Sequence, residues 1–199
     1  MSEDRHGTRG RIQAVAVELF AEQGYDKTSL REIAERLGVT KAALYYHFRS
    51  KEDIVRSLFE DYTHEVEELI AWGRRQPPTE QARRDLLGRY VDIIVRRTEV
   101  FRCLERNQAT IRNLDAHGKE LFRERMRTLT DLLQPPDAPL AERVRASMAF
   151  MAVHVGWLFF QDEQVSAEEL RAIVHDIACD LAGAPTPMLA SPAAGRSAR

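Results

Sequence analysis

Gly38 stands between two short segments that each carry their own start signal and their own apolar face. No other feature restricts the fold of this chain as much. Before it, Ser29 followed three residues later by Glu32 forms a capping box, and Leu30, Ile33, Ala34 and Leu37 then trace one buried stripe. After it, Thr40 is placed to cap a second short helix running through Phe48. Two short helices meeting at a glycine corner form a helix-turn-helix, whose second helix enters the major groove of duplex DNA with its N-terminal residues at base edges.

The flanking sequence supports the same architecture. Ile12, Val15, Ala16, Leu19 and Phe20 recur at helical spacing over about residues 8–23, and Gly24 follows as a stop. Ser50 with Asp53 opens a long helix bearing Ile54, Val55, Leu58, Phe59, Tyr62, Val66, Leu69 and Ile70, which Gly73 and Pro77-Pro78 bring to an end. Further helical periodicity covers about 80–101, 103–115, 118–133, 139–161 and 166–182, with Pro135-Pro136 as a break. Period-2 alternation bounded by turn residues is lacking, so the expected class is all-α. The expected organisation is a helix-turn-helix domain over 8–53, a larger helical domain over 54–183, and a mobile Ala/Pro/Ser-rich tail over 184–199.

Charge is distributed unevenly. The chain carries a net −2, but residues 1–51 hold nine Lys/Arg against seven Asp/Glu, which leaves −4 on the remainder. The cationic excess therefore coincides with the helix-turn-helix. Two cysteines, Cys103 and Cys179, are too few for a disulfide framework and lack metal-ligand spacing, and His64, His117, His154 and His175 form no HxxxH pattern. The N-terminus has no apolar signal core, and the most apolar run, Met148–Phe160, falls short of the ~20 residues a membrane span needs. A cytoplasmic protein with no membrane partner and no cofactor is expected.

On a helical wheel Leu44 and Phe48 share the inward face of the second short helix, while Ala42, Ala43 and Tyr46 point outward, flanked by Tyr45 and His47. Small residues near the helix start permit close approach to the groove, and alanine methyls can pack on a thymine methyl. Lys41 can reach a guanine edge, and Tyr hydroxyls, His47 and Lys51 suit phosphates. Taken singly, each tyrosine reads as an amphipathic core aromatic with its hydroxyl at the surface, the commoner use of this residue. Adjacent tyrosines on a short helix cannot both face inward, however, and only the combination on a glycine-cornered pair points to a reading surface.

The run AVELFAEQGYDKTSLREIAERLGVTKAALYYHFRSKEDI, with Phe20, Gly24-Tyr25, Thr28-Ser29, Ile33-Ala34, Gly38-Val39, Leu44-Tyr45, His47-Phe48 and Lys51-Glu52 in fixed order, resembles the DNA-binding domain of the TetR family of bacterial transcriptional regulators. The resemblance covers about the first quarter of the chain. It implies a homodimer on a palindromic double-stranded operator, with contacts from Ser29, Arg31, Thr40, Lys41, Ala42, Ala43, Tyr45, Tyr46, His47 and Lys51. Many relatives have glycine where this chain has Ala42, which bears on base preference there. It further implies that the remaining helices bind a small-molecule effector and that the fourth helix relays the change, most often to release a repressor.

Trp72, Phe101, Phe150 and Trp157 are candidate pocket-lining aromatics, although helical core is the more ordinary use for each taken singly. The apolar stretch SMAFMAVHVGWLFF suits dimerisation, and Gly156 allows close approach. An all-helical enzyme or small-molecule carrier is the rival class, but GxSxG, HExxH, Walker-type and GxGxxG patterns are all lacking. An activator or a ligand-independent regulator is a variant within the leading class.

Overall fold

The computed structural model describes residues 3–98, 116–160 and 164–183, and within them eight helices and no strand. They are α1 (Glu3–Gln23), α2 (Leu30–Leu37), α3 (Lys41–His47), α4 (Lys51–Gly73), α5 (Glu80–Arg96), α6 (Ala116–Leu133), α7 (Leu140–Phe160) and α8 (Ala167–Leu181). The expected helix over 103–115 and the tail over 184–199 lie outside the described residues, as do Phe101 and Cys103.

Local chemistry accounts for most boundaries. Ser29, Thr40, Ser50, Thr79 and Ser166 each have extended backbone, and each side-chain oxygen accepts from a backbone N–H in the first turn of the helix that follows. Gly24 and Gly38 adopt φ of +91° and +72°, a region that a side chain disfavours and that ends α1 and α2 sharply. Two boundaries differ from the periodicity. α1 begins at Glu3 rather than near residue 8, because its first turns are polar and carry no apolar rhythm. α5 ends at Arg96, where the Arg97 N–H bonds back to the carbonyls of Ile93 and Ile94.

Two buried clusters organise the chain. The first joins Ile12, Ala16, Leu19, Phe20 and Tyr25 to Leu30, Ile33 and Ala34, to Leu44 and Phe48, and to Ile54, Val55 and Leu58 at the start of α4. The second runs from Tyr62, Val66, Leu69 and Ile70 on the rest of α4 through α5, α6, α7 and α8. Each large apolar side chain so buried contributes about 2 kcal/mol of transfer free energy. α4 thus serves both cores, with the change of cluster falling between Leu58 and Tyr62.

Within the second cluster α8 packs on α7 and α5, and α6 on α7 and α4. Gly156 makes its close approach to α8 of the same chain: a Cβ there would lie 2.8 Å from Val174 Cγ2. The side of α7 away from the core leaves Leu140, Val144, Met148, Met151, Val155 and Phe159 exposed, and Ile173 and Ile177 of α8 are exposed as well. A stripe of that spacing is a continuous apolar helix face.

Candidate nucleic-acid interface

The corner that aims α3 is built from backbone hydrogen bonds. Val39 N–H donates to Ala34 O at 3.0 Å and Gly38 N–H to Glu35 O at 3.2 Å, the paired bonds of a Schellman termination. Thr40 Oγ1 then accepts from Ala43 N–H at 3.1 Å and starts α3 one residue later. At its other end, Phe48 N–H closes on Leu44 O at 3.0 Å.

Leu44 and Phe48 are 0% and 3% exposed, whereas Tyr46 is 68% and Tyr45 43% exposed. Lys41, Ala42 and Ala43 are also exposed, and His47 is half-buried with its ring edge-on to Tyr46 at 5.3 Å. The Lys41 ammonium lies 5.4 Å from the centre of the Tyr45 ring. The structure therefore brings Thr40, Lys41, Ala42, Ala43, Tyr45 and Tyr46 to one outward surface, with His47 at its edge.

The α2 candidates occupy different settings. Ser29 is committed to the capping box: its N–H and hydroxyl both donate to Glu32 Oε2 at 2.7 Å, which holds the Glu32 carboxyl below its usual range. Arg31 is exposed and pairs with Glu35 at 2.7 Å, a surface contact that is readily exchanged for another anion.

Lys51 faces inward. Its ammonium donates to Tyr25 O at 2.5 Å and sits 4.3 Å from the centre of the Tyr25 ring, while the Tyr25 hydroxyl donates to Glu52 Oε1 at 2.7 Å. That hydroxyl is the main reason the Glu52 carboxyl lies below its usual range. The start of α4 is thereby latched to the loop after α1. Spacing along the sequence could not reveal this, because the partners are 26 and 27 residues apart.

The described aromatic candidates in the larger part of the chain, Trp72, Phe150 and Trp157, occupy different settings. Trp72 is half-buried in an open cleft of about 220 Å³ between α4 and α5, under the Arg89 guanidinium at 4.4 Å. Phe150 and Trp157 are core residues: Phe150 lies edge-on to Tyr90 at 4.9 Å, and the Trp157 N–H donates to Thr98 Oγ1.

A polar chain that the sequence did not signal crosses this core. Tyr62 and Tyr90 hydroxyls lie 3.3 Å apart, and the Tyr90 hydroxyl is 2.6 Å from His154 Nε2. Burial pushes Tyr62 up to about 12, raises Tyr90 as well, and pushes His154 down to about 4, so all three are neutral near pH 7. Cys179 is a buried thiol, 3.4 Å from His175 Nε2. Among the described residues no cluster of His, Cys, Asp or Glu is placed to hold a metal, and no helix is long and apolar enough to cross a membrane.

Residues 12–58 match the family model described as bacterial regulatory proteins, tetR family. Similar curated proteins include the HTH-type transcriptional regulator AcrR of Shigella flexneri, 44% identical over 62 residues that make up 31% of this chain and 29% of that protein. The HTH-type transcriptional repressor KstR2 of Rhodococcus jostii (strain RHA1) is 36% identical over 73 residues, 35% of this chain and 36% of that protein. The match thus spans about a third of the length of these relatives. A transcriptional regulator (TerR/AcrR family) from Aquifex aeolicus VF5 superposes over 84% of this chain and 95% of its own, with a TM-score of 0.67 and 23% identity. AibR, solved in complex with isovaleryl coenzyme A and operator DNA, covers 84% of this chain and 97% of its own at a TM-score of 0.61 and 17% identity. At such identities the likeness to the two structures is one of fold.

Proposed function

We propose, from the match of residues 12–58 to the tetR family of bacterial regulatory proteins, that the protein is a cytoplasmic, non-enzymatic transcriptional regulator, a repressor that a small-molecule effector releases from a palindromic operator. The observation that carries this reading is the division of α3: two core side chains, Leu44 and Phe48, and an exposed surface of Lys41, Ala42, Ala43, Tyr45 and Tyr46 on a glycine-cornered helix pair. In this reading Ala42 and Ala43 meet thymine methyls, Lys41 meets a guanine edge, and Thr40, Tyr45, Tyr46, His47, Ser29 and Arg31 meet phosphates. Lys51 acts behind the surface, holding the start of α4, with its charge available to the nearest phosphate.

The dimer forms on the exposed stripe of α7 with Ile173 and Ile177 of α8, each copy presenting the same face to the other. Two reading heads then address two half-sites related by the dimer axis. The effector acts on α4 from the larger core; Trp72, Phe150 and Trp157 are the proposed positions in contact with it, joined by Phe101. AibR, of similar fold, accommodates a small molecule and operator DNA in one complex.

Binding-site selection from random duplex with the purified chain is the direct test. It should enrich a palindrome, and affinity for that palindrome should fall steeply as salt rises, because phosphate contacts release counterions. Recovery of duplexes with no sequence preference over the input pool would remove the proposed function.

A further inference from the structure

We propose that Arg9 and Gln13 of α1 are positioning residues that fix the recognition helix relative to α4 and so set the half-site spacing the dimer accepts. The inference rests on the DNA-reading role proposed above and adds the contact through which that role is controlled.

Gln13 is a buried polar side chain on an otherwise apolar helix face. Its amide nitrogen carries two hydrogens, and both go to α4: one to Ser57 Oγ at 2.8 Å, the other to Asp61 Oδ2 at 2.8 Å. Ser57 passes its own hydrogen to Ile54 O at 2.7 Å, so towards Gln13 it can act only as acceptor. The direction of each bond is thereby fixed, and the bond to the carboxylate is charge-assisted. One turn earlier, the Arg9 guanidinium lies 3.6 Å from Asp61 Oδ1 and 3.9 Å from Glu60 Oε2. The same guanidinium is 5.3 Å from the centre of the Phe48 ring, at the residue that terminates α3.

Gln13 thus ties α1 to α4, and Arg9, on the same helix, connects α4 to the end of the recognition helix. Apolar burial alone would not hold this relation, since it is non-directional and tolerates sliding. The grip also has a telling location. Ser57 immediately precedes Leu58, the last α4 side chain of the first core, and Asp61 immediately precedes Tyr62, the first of the second. Any displacement of α4 within the larger core is therefore resisted or passed on at this contact.

Half-site spacing reads the contact out without an effector. Adding or removing one base pair between half-sites shifts one of them by roughly 3.4 Å and turns it by about 35°. The measurement compares affinity for the selected palindrome with affinity for versions one base pair longer and shorter, using the full chain. The unaltered protein should lose about tenfold or more on either change. Gln13→Leu and Arg9→Ala should reduce that loss to less than about threefold while leaving affinity for an isolated half-site of the same order. Gln13→Glu, of the same shape but with only acceptors facing Ser57 Oγ and the Asp61 carboxylate, should relax the spacing as Gln13→Leu does, which a merely space-filling role would not do.

Arg9 is partly exposed, so Arg9→Ala carries the test even if Gln13→Leu fails to fold. Folded variants that keep the original spacing ratio would overturn the inference while the DNA-reading role stood. An unaltered chain with no sequence preference would instead remove that role itself.

Discussion

The Tyr90 hydroxyl and His154 Nε2 lie 2.6 Å apart across 64 residues of sequence, and the bond ties α5 to α7 inside an apolar core. It makes stability depend on pH in a definite sense. In the unfolded chain the imidazole takes up a proton near 6.5, whereas burial holds it neutral down to about 4 in the fold. Between those values the unfolded state binds more protons, so acidification favours unfolding. Urea midpoints should fall from pH 6.5 to 4, with up to about 3 kcal/mol of stability attributable to His154. His154→Gln should flatten that part of the profile, and Tyr90→Phe should cost about 1–2 kcal/mol at neutral pH.

The latch between Tyr25 and α4 should show in thermal denaturation. Lys51→Met removes an ammonium that donates to the Tyr25 carbonyl and should cost about 1.5–3 kcal/mol. Tyr25→Phe removes only the hydroxyl that donates to Glu52 and should cost about 1 kcal/mol. The two effects should fall short of additivity, because the Lys51 ammonium also sits over the Tyr25 ring.

On α3 the exposed residues should separate by role. Tyr46→Ala should weaken binding to every duplex by a similar factor, as loss of a phosphate contact does. Lys41→Ala or Ala43→Ser should change the preferred base at one position in each half-site, by about 1–3 kcal/mol. Site selection repeated with each variant distinguishes the outcomes, and unchanged circular dichroism is expected because none of these side chains is buried.

The α7 stripe should govern association. Met148→Glu or Met151→Glu places a carboxylate in an exposed apolar line that two copies are proposed to bury together. Light scattering should then report half the molecular mass of the unaltered protein, and operator affinity should fall with it. A mass that stays unchanged in both variants would mean that the stripe is covered in some other way.

Much of the reading head was legible in the sequence because its determinants are local. Ser29 with Glu32, Gly38, Thr40 and Ser50 act over three or four residues and cap as expected, whereas the capping box expected of Ser50 with Asp53 is only half formed, because the Asp53 carboxylate accepts from the Arg49 N–H instead. The direction of Lys51 was not legible, because its partner carbonyl comes from a loop 26 residues away and only tertiary packing brings it near. The same holds for Tyr62, Tyr90 and His154, which stand on three separate helices and meet only because the fold aligns their polar atoms. The early start of α1 escaped because a solvent-facing turn carries no apolar rhythm.

The glycine corner at residue 38 has one further consequence, which concerns how such a protein can change over generations. The angle between α2 and α3 is set by backbone bonds and by a φ that glycine adopts freely, not by the side chains that face outward. Only Leu44 and Phe48 within the recognition segment answer to the core. Lineages can therefore vary Lys41, Ala42, Ala43, Tyr45 and Tyr46 and explore new operators with little penalty in folding, so that target preference drifts while the scaffold is retained.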